Sequence, residues 1–213
     1  VILGPDSYRR IPELLKSREQ KNEHWVDTKL SKYEIYEDMY PSRNKGINAW
    51  ISIMRGCDKF CTFCIVPFTR GRERSRTIPS IVNEVKKCVE EGYIEITLLG
   101  QNVDSYRWNI SKKGEILDQS IPTTNFAQLL ELVAEVSPQL RVRFSTSHPK
   151  DMTDDVIHSM SKYNNICKYI HLPVQSGNSN VLKRMNRGYT REWYMERIAV
   201  SYTHLTLPTT LQV

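Results

Sequence analysis

Residues 49–64 read Ala49-Trp50-Ile51-Ser52-Ile53-Met54-Arg55-Gly56-Cys57-Asp58-Lys59-Phe60-Cys61-Thr62-Phe63-Cys64. The first six have the composition of a strand, and they run straight into a loop with three cysteines at C-x3-C-x2-C spacing. Three thiolates this close can hold one face of an iron–sulfur cube. One iron then lacks a protein ligand, and an open iron is where chemistry can take place. Zinc would want a fourth ligand at tetrahedral spacing. The remaining candidates are Cys88, inside a helical stripe, and His24, far upstream, and neither has finger-like spacing. The C-x2-C-x2-C-x3-C run of a bacterial ferredoxin is absent. Asp58 and Lys59 argue against burial of the loop as a group of core thiols. A three-cysteine cluster with an open iron is the favoured reading.

Outward from this loop the pattern alternates. Ser80 to Glu91 carries an apolar helical stripe closed by Gly92, and Ile94 to Leu99 is a second strand bounded by Gly100. Phe126, Leu129, Leu130, Val133 and Val136 mark a helix that stops before Pro138, and Arg141 to Ser145 is a third strand. Thr153 can cap the next helix, with Asp154 and Asp155 in its positive first turn. Tyr169 to Val174 reads as a fourth strand. Val181, Leu182 and Met185 sit on a short helix ended by Gly188, and Thr190 opens another. Alternation of this kind predicts an α/β fold with right-handed βαβ units around a parallel sheet, four units being visible. Asp104 to Asn125 is a polar insertion after the second strand. Cys88 and Cys167 fall at core positions, on a helix face and at a strand entrance.

The chain of 213 residues suffices for one sizeable core, and 39% hydrophobic with 25% charged residues predicts a folded, soluble protein. No run of about 18 apolar residues indicates a membrane span, and no secretory signal opens the sequence. Five cysteines, three of them in one loop, fit a reduced, cytoplasmic compartment better than a disulfide framework. Residues 1–42 are polar and broken by Pro5, Pro12 and Pro41, with a short helix expected from Ile11-Pro12-Glu13. They read as the end of a preceding domain plus a linker, and the first residue, Val1, agrees with a start inside a longer protein. Residues 43–200 form the core domain. Residues 201–213 carry no Lys, Arg, Asp or Glu and read as a non-native junction. Net charge is +6, and residues 41–80 hold eight Lys/Arg against two acids, which accounts for all of the excess. Such a focused positive field attracts polyanions and small anionic groups.

The cysteine spacing after a strand resembles the signature of the radical S-adenosylmethionine (SAM) enzymes. The run Cys64-Ile65-Val66-Pro67-Phe68-Thr69-Arg70-Gly71-Arg72-Glu73-Arg74-Ser75-Arg76 closely resembles the methylthiotransferase family of that superfamily, the MiaB type. So do Leu98-Leu99-Gly100-Gln101-Asn102-Val103, Ser145-Thr146-Ser147-His148-Pro149 and His171-Leu172-Pro173-Val174-Gln175-Ser176-Gly177. The resemblance covers about residues 1–199. It implies a partial radical SAM (β/α) barrel, four of an expected six units, with a 4Fe-4S cluster on Cys57, Cys61 and Cys64. The open iron would chelate SAM, whose reductive cleavage yields a 5′-deoxyadenosyl radical. The implied substrate is isopentenylated adenosine beside the tRNA anticodon, so the implied partners are the anticodon stem-loop of tRNA and an electron donor such as flavodoxin or ferredoxin. Related branches act on threonylcarbamoyl-adenosine or on an aspartate of a ribosomal protein. From a different class, a zinc-stabilised RNA-binding module is the competing reading. The family's second, auxiliary 4Fe-4S cluster belongs to an N-terminal domain of which Gly4 to Pro12 resembles only the last segment. This chain is therefore expected to hold at most one cluster and to be inactive alone.

Gly100, Gln101 and Asn102, then Ser145 to His148, then Gln175 and Ser176 each follow the C-terminal end of a predicted strand. In β/α barrels that edge carries the active site. These positions are expected to bind the amino-acid and ribose parts of SAM, the plainer reading being polar loops that close βα turns. Arg70, Arg72, Arg74 and Arg76 alternate and on an extended segment would point one way. Arg70 and Arg72 are expected to hold the SAM carboxylate or RNA phosphates, with pairing to acids such as Glu73 as the alternative. His148 and His171 read as hydrogen-bonded structural residues.

Overall fold

The computed structural model describes residues 1–21, 24–43, 46–110 and 115–205. The polar N-terminal segment forms a short parallel pair, Ile2–Leu3 (β1) with Val26–Asp27 (β2), joined through the helix Ile11–Lys21 (α1) that carries Pro12 in its first turn. Next come Asn48–Ser52 (β3), Met54–Arg55 (β4), the single-turn helix Val66–Thr69 (α2) and Arg74–Ser75 (β5). The pattern then settles into Ile78–Glu90 (α3), Glu95–Leu99 (β6), the pair Arg107–Trp108 (β7) and Thr124–Asn125 (β8), Phe126–Ala134 (α4) and Arg141–Phe144 (β9). Asp154–Lys162 (α5), Ser179–Arg184 (α6) and Arg191–His204 (α7) complete it.

The organising sheet is parallel, in the order β3-β6-β9, with Ile51 level with Leu98 and Leu98 level with Phe144. The central strand β6 buries Ile96, Thr97 and Leu98 in succession, as a parallel strand covered on both faces must. The stripe on α3 (Ile81, Val85, Cys88), that on α4 (Leu129, Leu130, Val133) and that on α5 (Val156, Ile157, Met160) are all buried against it. Each such side chain removed from water contributes roughly 1.5–3 kcal/mol. The helix starts are chemically defined. Thr77 accepts from the Ser80 N–H at the start of α3, and Asn125 forms a reciprocal capping box with Gln128 on α4. Thr153 occupies the expected position before α5, but its side chain makes no capping hydrogen bond.

Two expectations are corrected. The strand predicted over Ala49–Met54 breaks at Ile53, whose N–H donates to Leu99 O at 2.9 Å while its own carbonyl accepts from Arg76 N at 2.9 Å. Ile53 thus passes the chain from the parallel sheet to an antiparallel pairing of β4 with β5. The fourth strand expected at Tyr169–Val174 is not a strand. A single parallel bridge, Val142 with Ile166, stands at its entrance. Beyond it the carbonyls of Leu172, Pro173 and Val174 accept from the side chains of Tyr194, Arg187 and Tyr189, which replace a strand ladder. Among the described residues the organising parallel sheet therefore has three strands rather than four. In the polar insertion, residues 111–114 lie outside the described residues, as do residues 206–213 of the expected non-native tail. Residues 201–204 of that tail continue α7, and Leu205 is buried in the core. No described helix is long and apolar enough to cross a membrane.

Candidate active site

The C-terminal ends of β3, β6 and β9 share one edge of the sheet because the strands are parallel. The cysteine loop leaves that edge through Arg55 and Gly56. Gly56 has φ +76°, and a Cβ there would stand 2.2 Å from the carbonyl oxygen of Arg72, so no side chain fits. Its N–H donates to Gln101 Oε1 at 2.6 Å, and Cys57 N donates to Gly71 O at 3.2 Å. The far side of the loop is held by α6 and the turn after it. Thr62 N donates to Met185 O at 3.1 Å, and Asn186 Nδ2 donates to Phe60 O at 3.0 Å. Burial, chiefly, raises the Cys57 thiol to about 11, and the Glu73 charge, then Cys61 and Cys64, add to the rise. Such a thiol stays protonated near neutral pH until a bound metal displaces its proton. Among the described residues, no three His, Cys, Asp or Glu side chains converge as a single ion would require. Three free thiols on one loop suit a cube held through three separate irons.

Beside the loop lies a polar cluster. Lys59 Nζ pairs with Asp151 at 2.6 Å, and Asn102 Nδ2 donates to Asp151 Oδ2 at 2.6 Å, so Asp151 joins the cysteine loop to the loop after β6. Asn102 Oδ1, both carboxylate oxygens of Asp104, Ser147 Oγ and His148 Nε2 are buried without a hydrogen-bond partner. The Ser147 hydroxyl and His148 backbone face Asp104 but complete no hydrogen bond with it. Burial, with Asp151 nearby, raises the Asp104 carboxyl to about 8. Burial first, then the Arg187 charge, lowers His148 to about 4, so its imidazole is neutral. Orphaned polar atoms concentrated at one sheet edge fit a polar ligand with several donors and acceptors.

The profile of the radical SAM superfamily matches residues 51–202. The chain belongs to the radical SAM superfamily. Its cofactors are a 4Fe-4S cluster and SAM, and both the cysteine loop and the orphaned polar edge fit them. The chain is 55% identical over 202 residues to the tRNA-2-methylthio-N(6)-dimethylallyladenosine synthase of Amoebophilus asiaticus, covering 93% of this chain and 41% of that protein. It is 54% identical over 201 residues to the enzyme of the same name from Bacteroides fragilis, covering 93% and 42%. The chain thus spans about two-fifths of the length of these curated relatives. Among solved structures, the radical SAM methyltransferase TsrM of Kitasatospora setae superposes with TM-score 0.53 at 16% identity, over 75% of this chain and 29% of that one. That likeness concerns the fold.

Within this radical SAM fold the expected residues divide. Gly100, Gln101, Asn102 and Ser145 stand at the sheet edge beside the cysteine loop. A Cβ on Gly100 would press on the buried Met54 at 2.6 Å, Gln101 holds Gly56, and Ser145 N donates to Leu98 O at 3.2 Å. Gln175 (φ +73°) and Ser176 lie on the irregular segment tied to Arg187 and Tyr189, with Gln175 exposed. The arginine run does not point one way. Arg70 and Arg72 are exposed, and Arg72 pairs with Asp58 at 2.6 Å rather than with Glu73. Arg74 is buried on Asp6 at 3.1 Å and Arg76 on Glu84 at 2.6 Å. The segment is not one extended strand: Arg70 caps α2, and β5 covers only Arg74–Ser75. His148 accepts from Lys150 N at 3.3 Å, whereas His171 is exposed. Sequence reasoning missed Arg187, which is buried, donates to Cys61 Sγ at 3.2 Å and to Pro173 O at 3.2 Å, and so ties the cysteine loop to the segment holding Gln175. It also missed Asp104 and Asp151. The only available signal was the density of polar residues after β6 and β9.

Proposed function

We propose that this chain is the SAM-cleaving core of a tRNA methylthiotransferase that modifies the dimethylallyl (isopentenyl) adenosine next to the anticodon. The observation that carries the reading is the similarity, above 50% identity and across 93% of the chain, to synthases of that modification. Cys57, Cys61 and Cys64 hold the cluster, and Arg187 fixes Cys61 by donating to its sulfur. When bound and reduced, the cluster supplies the electron that cleaves SAM. Gly100, Gln101, Asn102 and Ser145 at the sheet edge, with Gln175 and Ser176 from the segment held by Arg187 and Tyr189, bind the amino-acid and ribose groups of SAM. Arg70 and Arg72 offer guanidinium groups to RNA phosphates. Residues 43–200 make this core, and residues 1–42 belong to the end of the preceding domain. The second cluster and the sulfur it handles belong to parts of the whole protein outside this chain. An electron donor such as flavodoxin or ferredoxin and a tRNA substrate place the work in the cytoplasm.

The test is complementation with the complete gene in a strain lacking the modification, followed by mass spectrometry of hydrolysed tRNA. A methylthio group on isopentenyladenosine is expected. Its absence from tRNA sinks the reading, and its appearance on threonylcarbamoyl-adenosine instead assigns the chain to that branch.

A further inference from the structure

A cavity of about 760 Å³ lies beside the cysteine loop, within the size range of small-molecule sites. One side is made by Asp58 and Lys59, which directly follow Cys57, together with Arg72 and Glu73. The insertion supplies the opposite wall, where Trp108, Ile110, Leu117 and Ile121 form an apolar patch beside Arg107 and Asn109. The charged side is internally paired, Arg72 to Asp58, Lys59 to Asp151, and the Ser105 hydroxyl to Glu73 at 2.9 Å. The apolar patch is built. Asn109, buried and at φ +60°, donates from Nδ2 to Asp118 O at 2.7 Å and to Ile121 O at 2.6 Å. Its Oδ1 accepts from Asp118 N at 2.9 Å, and its carbonyl accepts from Leu117 N at 3.1 Å. Leu117 is nevertheless 69% exposed. With the half-buried Trp108, Ile110 and Ile121 it makes a contiguous apolar patch on the cavity, the kind of surface that marks a binding site.

We propose that this cavity receives the five-carbon dimethylallyl group of the substrate adenosine, with Leu117, Ile121 and Trp108 as the residues that select a prenylated base over an unmodified one. The assignment rests on the methylthiotransferase reading above. It gives the polar insertion a role: the insertion supplies an apolar patch where a substituent on the adenine can be desolvated close to the cysteine loop.

The test uses the complete, reconstituted protein and two anticodon stem-loop RNAs that differ only in the dimethylallyl group, with dissociation constants read by fluorescence anisotropy. The native protein should bind the prenylated RNA about tenfold more tightly. Leu117→Gln and, separately, Ile121→Gln should bring the two constants to within about twofold by weakening only the prenylated RNA, and Leu117→Met should retain the preference. Equal binding of both RNAs by the native protein overturns the proposal, as does a preference that survives both Gln variants, or an equal loss for both RNAs. Methylthiolation of tRNA in the complementation assay is scored separately, so the cavity can fail while the enzyme reading stands.

Discussion

Asp104 shows how much one side chain can reveal at this sheet edge. Its carboxyl is buried with no completed hydrogen bond, and burial raises it from the ordinary carboxylate range to about 8. The folded state therefore binds a proton that the unfolded chain releases near pH 4. Below that pH both states are protonated and no penalty arises. As pH climbs from about 4 to about 8 the folded state loses stability, and above about 8 the loss levels off. Asp104→Asn removes the titration, so the variant should gain stability relative to the native chain as pH rises across that window. Urea midpoints at pH 5 and pH 9 would measure it. A difference between variant and native chain that stays constant with pH would contradict the assignment. None of this was legible from the residue's place in a polar insertion, because the burial comes from the chain that follows β9.

At the scale of elements, the two arginines of the β5 segment that read as an anion-binding rim instead weld elements together. Glu84 on α3 is 2% exposed, and its two carboxylate oxygens accept from Arg43 and Arg76. Asp6 does the same for Arg55 and Arg74 and docks the N-terminal segment onto the base of the cysteine loop. Removing one partner of a buried pair leaves an uncompensated charge. Glu84→Gln should therefore lower unfolding stability by about 3–5 kcal/mol, read from the denaturant midpoint. Lys162→Ala, which breaks an exposed pair with Glu131, should leave the midpoint where it is. The periodic elements α3, α4, α5, β6 and β9 were readable because their apolar spacing repeats. The Tyr169–Val174 run was not, since its apolar residues read as a strand while its carbonyls are taken by side chains from beyond it in sequence.

For the molecule as a whole, the excess of positive charge within residues 41–80 is smaller in space than along the chain. Asp6 and Glu84, both outside that stretch, pair with four of its arginines and offset two of their charges. Among the described residues, the exposed arginines of the stretch are Arg70 and Arg72, next to the cysteine loop, and Arg72 is paired with Asp58. The only cluster-type cysteine motif is the one at Cys57, Cys61 and Cys64. Anaerobic reconstitution of this chain should accordingly give about four irons and four sulfides. Cys61→Ser should reduce both well below that. About eight irons per chain would show a second cluster and contradict the single site.

Local patterns determined the superfamily and the parallel strand–helix alternation, and they supplied the proposed cluster ligands Cys57, Cys61 and Cys64. Each depends on spacing within a few residues, which a linear chain displays directly. Tertiary structure alone decided which arginines face solvent, that Arg187 reaches Cys61 across the fold, and that the insertion after β6 presents an apolar patch to a cavity beside the cysteine loop. Those facts rest on partners distant in sequence. Burial and charge pairing are properties of the packed edge, where separate loops meet because their strands run parallel.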